Sequence, residues 1–373
     1  MKTLFIANTD FEFELTRKQT LGLKQALEQS PLTMQLQFLP LIYLPEEDAV
    51  GLTMLPNPSY LSYLEVVRGS PLPRLYCFDE ITTKSPIHQV KSWGHSLQVT
   101  KWSQKNHLTY QMPAWDCIVK VNSKAFSFEI SPKLPGAKLL KSFEELNDWI
   151  SESPSTKVIK GCFGVAGREN FILESPENKA SKQLSSFLHS QWKKGLPVIG
   201  EPWMDRQLDF STQWEITPAG DIHYLGATVM ENDSEGHYIK TITGPEEVVF
   251  SKVFWALEKQ KEFSYKILER IKGEGFFGNI GIDAMLYNLP CCQDETRLHP
   301  VVEINARQTM GYIALCFQKL RYPENCVCLE YAPSNKIGES LLPSFLPKSD
   351  GSTQKFSRQL RFELSKHPPV GLI

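Results

Sequence analysis

Residues 275–288, GFFGNIGIDAMLYN, and residues 298–311, LHPVVEINARQTMG, decide the fold of this chain and are separated by a polar loop. Apolar and polar residues alternate in both stretches, which predicts two β-strands. Because successive side chains of a strand point to opposite faces, Glu303 and Asn305 share one face. Pairing of the two strands would bring Asp283 to that same face.

The acidic side chains of this predicted hairpin indicate a metal site. Two carboxylates about 4 Å apart repel each other by roughly 4 kcal/mol at an effective dielectric constant near 20. A hairpin should therefore not bring Asp283 and Glu303 together unless a cation lies between them. Oxygen ligands from Asp, Glu and Asn suit Mg²⁺ or Mn²⁺ rather than Zn²⁺. The alternative is a pair of ordinary strands with a solvated polar face.

Composition narrows the class of protein. The chain has 373 residues, of which 41% are hydrophobic and 22% charged, as in soluble globular proteins of two or three domains. A net charge of −2 creates no broad field that would attract nucleic acid or an anionic membrane. No apolar run is as long as a membrane span, and the N-terminus becomes acidic too early for a secretory signal. The eight cysteines lack C-x-x-C spacing, which predicts reduced thiols and a cytoplasmic location.

Residues 1–119 alternate between apolar strand patterns and helical patterns, which predicts a small α/β domain. Within it we expect a helix near residues 16–29 and a strand over residues 34–41. Residues 45–58 contain three prolines and predict a loop-rich stretch near a cleft.

A glycine-rich segment follows the strand predicted at residues 156–160. Residues 161–168 read GCFGVAGR, and glycines allow backbone N–H groups to approach an anion closely. Lys160 before this loop and Arg168 after it add positive charge. The pattern matches neither the dinucleotide-binding fingerprint nor the P-loop, and taken alone it also fits a plain turn.

Further along, residues 208–216 and 222–230 alternate and predict a second hairpin. The polar stretch 231–244 that follows contains His237 and Lys240. We expect it to form a loop that could act as a mobile lid over a site.

The order of these features resembles the ATP-grasp family of ATP-dependent ligases, which includes D-alanine–D-alanine ligase and biotin carboxylase. The order is a lysine, a strand ending in a lysine before a glycine loop, Glu-x-x-Met, an aspartate, and Glu-x-Asn. The resemblance covers about residues 120–315. It implies an α/β (α+β) protein in which two α+β subdomains grip a nucleotide behind an α/β pre-ATP-grasp domain. The implied divisions are 1–119, 120–200, 201–320 and a C-terminal extension at 321–373.

The resemblance also implies roles for individual residues. Lys124 would reach the α-phosphate region and Asp209 the ribose hydroxyls, while the glycine loop would cover the β- and γ-phosphates. Pro202 lacks an N–H group, so a donor to adenine must come from Trp203 or Met204. The implied nucleotide-binding residues are Lys124, Lys160, Gly161, Gly164, Gly167, Glu201, Trp203, Met204 and Asp209. The implied Mg²⁺ ligands are Asp283, Glu303 and Asn305, and the implied catalytic cations are Arg307, Lys160 and Arg168.

Each of these residues has a plainer interpretation. Lys124 and Lys160 could be solvated lysines at the ends of elements, Trp203 and Met204 could be core residues, and Asp209 could be an exposed strand residue.

The activity that the resemblance implies is ATP- and Mg²⁺-dependent joining of a small-molecule carboxylate to an amine through an acyl phosphate. Such an enzyme needs no nucleic acid or membrane partner, and it could form a homodimer. Two alternatives remain: a kinase on the same scaffold with a stable phosphorylated product, and a regulatory nucleotide-binding protein without turnover.

Overall fold

The computed structural model describes residues 2–16, 21–153, 155–164, 170–174, 181–289, 292–334, 340–347 and 352–366. Within these ranges no helix is both long and apolar enough to cross a membrane.

The N-terminal part is a parallel sheet covered by helices. Its strands are ordered β3-β2-β1-β4, and the apolar run at the N-terminus forms the central strand β1, which is buried on both faces. The parallel strands and covering helices agree with the predicted alternation of strands and helices. The elements are β1 (Lys2–Ile6), α1 (Phe11–Thr16), α2 (Leu23–Leu27), α3 (Pro31–Leu36), β2 (Ala49–Leu52), α4 (Pro58–Arg68), β3 (Arg74–Cys77), β4 (Ile87–Ser92) and α5 (Leu97–Lys105).

One local prediction in this domain is wrong. The strand expected at residues 34–41 is instead the end of helix α3, a turn and a 3-10 helix at Leu39–Ile42. Helix α3 begins at this place because Ser30 caps it and accepts a hydrogen bond from Thr33 N at 3.2 Å. Pro31 fits the first helical position, where no N–H partner is needed. Of the helix expected near residues 16–29, the structure describes α2 at Leu23–Leu27, and residues 17–20 lie outside the described residues.

A small antiparallel sheet follows, with the strand order β5-β8-β6-β7. Helices α8 and α9 cover it, and a buried cluster that includes Trp149, Ile159 and Leu188 joins them to the sheet. The start of α8 matches the prediction, because Ser142 accepts a hydrogen bond from Glu145 N at 3.1 Å. The elements are α6 (Trp115–Val121), α7 (Lys124–Ile130), β5 (Lys138–Leu140), α8 (Phe143–Ser151), β6 (Lys157–Gly161), β7 (Asn170–Leu173), α9 (Lys182–Lys193) and β8 (Val198–Pro202).

The third sheet is the largest and is antiparallel, with the strand order β13-β12-β9-β10-β11-β14-β17. The predicted hairpin at residues 275–311 supplies β12 and β13. The elements are β9 (Asp205–Ile216), β10 (Ile222–Asn232), β11 (Tyr238–Thr243), α10 (Glu246–Val249), α11 (Phe254–Gly273), β12 (Gly278–Leu289), β13 (Cys292–Asn305), α12 (Met310–Arg321), β14 (Cys326–Pro333), β15 (Phe345–Pro347), β16 (Thr353–Lys355) and β17 (Arg358–Ser365).

The prediction of a loop at residues 231–244 is wrong, while the lid role stays a prediction. Most of it is the hairpin formed by β10 and β11, in which Lys240 lies opposite Glu231 and pairs with it at 2.7 Å. His237 lies in the tight turn, where its Nδ1 is 3.1 Å from Asp233. The polar composition reflects a hairpin with one solvated face rather than a loop.

The C-terminal region is integral to the fold, although we expected an extension beyond residue 320. Strands β14 and β17 complete the large sheet. Their apolar side chains also pack against the N-terminal domain, in a core cluster that includes Phe38, Leu41, Leu341 and Leu360.

Candidate active site

The hairpin of β12 and β13 brings the three predicted metal ligands together. Asp283 lies directly opposite Glu303 in the strand register, and Asn305 lies opposite Gly281. The Nδ2 atom of Asn305 donates a hydrogen bond to Asp283 Oδ2 at 3.0 Å. The register therefore places the carboxylates and the amide on one face, as the alternation predicted.

These residues fit a hard divalent cation. Burial and the neighbouring Glu303 raise the pKa of Asp283 to about 7, so its negative charge is unfavourable without a counter-ion. Among the described residues no group of three or more His, Cys, Asp or Glu side chains could hold a metal. The cradle consists of two carboxylates and the Asn305 amide, which leaves positions for substrate oxygens, as Mg²⁺ sites commonly do.

Lys124 connects this hairpin to the glycine loop. It begins helix α7, and its backbone N donates to Cys162 O at 2.8 Å. Its Nζ lies 2.8 Å from Glu303 Oε1 and 3.4 Å from Gly164 O. The lysine therefore reaches the acidic hairpin and the loop from one position. Gly161 ends β6; Gly167 and Arg168 lie outside the described residues.

Lys160 forms a second, buried ion pair with Glu201. Its Nζ lies 2.6 Å from Glu201 Oε2, and the two side chains are only 10% and 12% exposed. The antiparallel pairing of β6 and β8 brings them side by side. Burial by itself would raise the pKa of Glu201, but the charge and hydrogen bond of Lys160 hold it below its ordinary value. Glu201 is thus a carboxylate that keeps its charge.

Both lysines line a pocket between α7 and the sheets. His299 on β13 also lines it and is only 5% exposed. Burial lowers the pKa of His299 to about 4, so the ring is neutral at pH 7. We did not predict His299 from the sequence. The alternation did not reveal it, because the pairing register shifts between Asp283, opposite Glu303, and Met285, opposite His299.

No protein-family profile matches the chain, and no curated protein sequence is similar to it. Solved structures do match. Phosphoribosylamine–glycine ligase from Thermotoga maritima is 12% identical with a TM-score of 0.55, over 98% of this chain and 93% of that chain. The biotin carboxylase–β-γ-ATP complex from Campylobacter jejuni is 11% identical with a TM-score of 0.55, over 98% and 88%. Carboxyaminoimidazole ribonucleotide synthase from Aspergillus clavatus, complexed with ATP, is 12% identical with a TM-score of 0.50, over 98% and 94%.

The chain has the ATP-grasp fold. The predicted fold class is confirmed, and the likeness extends over nearly the whole chain rather than over residues 120–315 alone. At these sequence identities the comparison establishes the fold, while the roles of individual residues depend on their geometry.

The connector after β8 contains both N–H groups that we predict as donors to adenine. Trp203 N donates to Thr156 O at 2.9 Å, which removes it as a donor to a ligand. Of the two predicted donors to adenine, the backbone N of Met204 therefore remains. Its side chain is buried in an apolar cluster with Met285 and Tyr287, which could pack against a base.

Asp209, the predicted ribose ligand, already accepts hydrogen bonds from two side chains. Arg206 Nη1 lies 3.2 and 3.1 Å from its two carboxylate oxygens, and Asn232 Nδ2 donates to it at 2.9 Å. These donors fix the position of the carboxylate. Because an ionised carboxylate can accept about four hydrogen bonds, it could still accept one from a ribose hydroxyl.

Arg307 lies where the ATP-grasp hairpin meets the N-terminal domain. Its Nε forms an ion pair with Glu12 of α1, and its Nη2 is 3.3 Å from Asn305 Oδ1. A third bond runs from Nη1 to Gln308 O at 2.9 Å. The guanidinium is therefore next to the predicted metal ligands, and it is neutralised by a carboxylate from another domain. Sequence reasoning missed Glu12, because only tertiary contact brings it to the site.

Proposed function

We propose that this protein is an ATP- and Mg²⁺-dependent ligase that activates a small-molecule carboxylate as an acyl phosphate and joins it to an amine. The observation that carries the proposal is the contact between Lys124 and Glu303 at 2.8 Å. In this proposal Lys124 would bind a phosphate and Glu303 a metal ion, and the contact brings both groups to one cleft. The nucleotides named in the biotin carboxylase and carboxyaminoimidazole ribonucleotide synthase structures support ATP as the ligand.

Charge complementarity supports ATP as the ligand. ATP carries about four negative charges. Lys124, Lys160 and Arg307, which are each paired with a glutamate in this structure, would offset them once phosphate oxygens replace those partners. Asp283, Glu303 and Asn305 would hold Mg²⁺ or Mn²⁺, which when bound neutralises phosphate oxygens and withdraws electrons from the γ-phosphorus. With nucleotide bound, Lys124 would exchange Glu303 for a phosphate oxygen.

The reaction divides into two displacements. A carboxylate oxygen of the substrate attacks the γ-phosphorus, the bond from that phosphorus to the β–γ bridging oxygen breaks, and ADP leaves with the electron pair. The amine nitrogen of the second substrate then attacks the acyl carbon. The carbon–oxygen bond to phosphate breaks, inorganic phosphate leaves, and the nitrogen loses a proton. Arg307 would offset the charge of the acyl phosphate, and exclusion of water from the site would prevent its hydrolysis.

Incubation with ATP, Mg²⁺ and a panel of amino acids tests the proposal. We expect ADP and inorganic phosphate together with a new amide. AMP and pyrophosphate would indicate adenylation and contradict the acyl-phosphate route, and a stable phosphorylated product would indicate a kinase.

A pair of matched variants separates an enzyme from a nucleotide-binding regulator. Glu303→Ala should abolish ATP turnover, whereas Glu295→Ala, an exposed carboxylate on the same strand, should leave it unchanged. Absence of turnover in the wild type together with tight MgADP binding would favour a regulator. We further propose that the enzyme acts in the cytoplasm, because its cysteines are expected to be reduced thiols. We also propose a homodimer, which light scattering would test.

A further inference from the structure

A row of polar side chains crosses the large sheet on the face that carries the acidic hairpin. Strand β9 pairs with β12, and its register places Ser211 directly opposite Asp283. Asp283 in turn lies opposite Glu303 of β13. Gln213 shares the face of Ser211, because side chains two residues apart on a strand point the same way. Strand β9 therefore brings two polar side chains next to a predicted metal ligand.

These side chains belong to a continuous hydrogen-bond network. Gln213 Nε2 donates to Ser211 Oγ at 2.8 Å, and Thr309 Oγ1 donates to Gln213 Oε1 at 2.7 Å. Thr309 is the N-cap of α12, and its Oγ1 accepts from Tyr312 N at 3.1 Å. At the other end, the Ser211 hydroxyl forms a hydrogen bond with the Asp283 carboxylate. The network thus runs from the first turn of α12 to the predicted metal ligand.

Each bond of the network has a defined direction. A backbone N–H can only donate, so the Thr309 hydroxyl accepts from α12 and donates its own proton to Gln213 Oε1. The amide of Gln213 is then oriented with Nε2 toward Ser211, whose oxygen accepts. The single proton of the Ser211 hydroxyl remains for Asp283, since the other acceptor, Ile282 O, lies at 3.4 Å, which is long for a hydroxyl. An ordered donor is therefore directed at the carboxylate.

Close packing holds the network in one conformation. Ser211 and Gln213 are each only 2% exposed, and Thr309 is 9% exposed. Two glycines make room for these side chains. A Cβ on Gly281 would lie 2.8 Å from the methyl carbon of Thr309, and a Cβ on Gly311 would lie 3.0 Å from Gln213 Nε2. The amide and the hydroxyls therefore have little freedom to rearrange.

The outer end of the network is fixed by the N-terminal domain. Gln308 directly precedes the cap of α12, and its backbone N donates to Trp93 O at 2.9 Å. Its Oε1 accepts from the Tyr43 hydroxyl at 2.8 Å. The start of α12 is thus held by contacts with two sheets, so it gives the network a rigid origin.

We propose that Ser211 and Gln213 are positioning residues that hold the Asp283 carboxylate in the orientation that the divalent cation requires. Thr309 fixes both of them from the start of α12. The inference rests on the proposed function, because Asp283 is a predicted Mg²⁺ ligand there. A carboxylate without an ordered donor must be immobilised when the cation binds, which lowers the affinity. Loss of a hydrogen-bonding partner of a metal ligand commonly costs about 10- to 100-fold in metal affinity.

Binding of Mn²⁺ in the presence of saturating ADP tests the inference without turnover. Electron paramagnetic resonance counts free Mn²⁺ and so gives the dissociation constant of the cation. Ser211→Ala and Gln213→Met should each raise it about tenfold, while ADP in EDTA binds as tightly as to the wild type. A merely structural role would not separate these two affinities. Wild-type Mn²⁺ affinity in both variants, or no Mn²⁺ binding by the wild type, would overturn the proposal.

Matched variants distinguish the network from a general loss of stability. Thr212→Val removes a buried hydroxyl from the other face of β9, where it accepts from Trp214 Nε1 at 2.8 Å, and should leave Mn²⁺ affinity unchanged. Thr309→Val should weaken Mn²⁺ binding, whereas Thr309→Ser, which keeps the hydroxyl, should bind as the wild type does. Equal weakening by Thr212→Val, or by both variants of Thr309, would overturn the proposal. Ser211→Ala removes one oxygen atom and decides the question even if Gln213→Met does not fold.

Turnover separates this inference from the proposed function. Weaker Mn²⁺ binding in Ser211→Ala, without ADP release from MgATP by the wild type, would reject the ligase and keep the positioning network. ADP release with the same dependence on Mg²⁺ concentration in wild type, Ser211→Ala and Gln213→Met would keep the ligase and reject the network.

Discussion

Replacement of Glu201 by leucine should strongly destabilise the protein, because it leaves the Lys160 ammonium buried without its counter-ion. The two side chains are 10% and 12% exposed and their charged atoms lie 2.6 Å apart. Removal of one partner of a buried ion pair costs about 3–5 kcal/mol. We expect about 3 kcal/mol for Glu201→Leu, at the low end because some water still reaches Lys160. Glu201→Gln should cost about 2 kcal/mol, since the amide oxygen can still accept a hydrogen bond.

Urea denaturation at pH 7.5 provides the measurement, with the free energy of unfolding extrapolated to water. The double variant Lys160→Met/Glu201→Leu should be less destabilised than Glu201→Leu alone, because it buries no unpaired charge. The pKa of Glu201 is below its ordinary value of 4.5, so the stability from the pair is present above that pH. It is lost as the pH falls through the lower folded value, and the difference between wild type and Glu201→Leu should shrink there.

Two results would refute this reasoning. One is a loss below 1 kcal/mol in Glu201→Leu with an unchanged dependence on urea, which would show that Lys160 reaches water easily. The other is a double variant as destabilised as the sum of both single variants, which would show that the two residues act independently.

Three further perturbations follow from the structure. Gly278→Ala should cost about 2 kcal/mol in urea denaturation, because φ is +126° there and an added Cβ would lie 2.6 Å from His95 Nε2; unchanged stability would contradict that close approach. The Asp10→Asn variant should melt at the same temperature as wild type near pH 4 and at a higher temperature at pH 8. Burial raises the pKa of the Asp10 carboxyl from 3.8 to about 6, which favours folding below pH 3.8. That contribution, about 3 kcal/mol, is lost as the pH rises through 6. Lys240→Met should cost under about 1 kcal/mol in denaturation and leave ATP turnover intact, because its partner Glu231 is half exposed on a hairpin; a tenfold loss of turnover would restore a role at the site.

The local parts of the site could be predicted from the sequence. The alternation over residues 275–311 predicted both strands and the shared face of Asp283, Glu303 and Asn305, because a two-residue period depends only on the backbone. The strand before the glycine loop and the cap at Ser142 depend on similarly short-range signals.

Other predictions failed where local patterns were ambiguous. Residues 34–41 are apolar enough for a strand, but the cap at Ser30 and the proline after it favour a helix. The polar stretch 231–244 resembles a loop by composition, yet pairing with β10 and β14 makes it a strand. Such pairing depends on strands that are distant in sequence, so the residues of a single segment do not predict it.

The sequence by itself determined the strand periods, the faces on which the acidic side chains lie, and the resemblance to the ATP-grasp family. Only the tertiary structure decided that Lys124 meets Glu303, that Lys160 meets Glu201, and that Glu12 neutralises Arg307 from another domain. It also decided that burial lowers the pKa of His299 and that Asp10 Oδ1 is buried without a hydrogen-bond partner among the described residues. The reason is physical: periodicity is a property of neighbouring residues, whereas charge pairing and burial depend on which distant segments share one space.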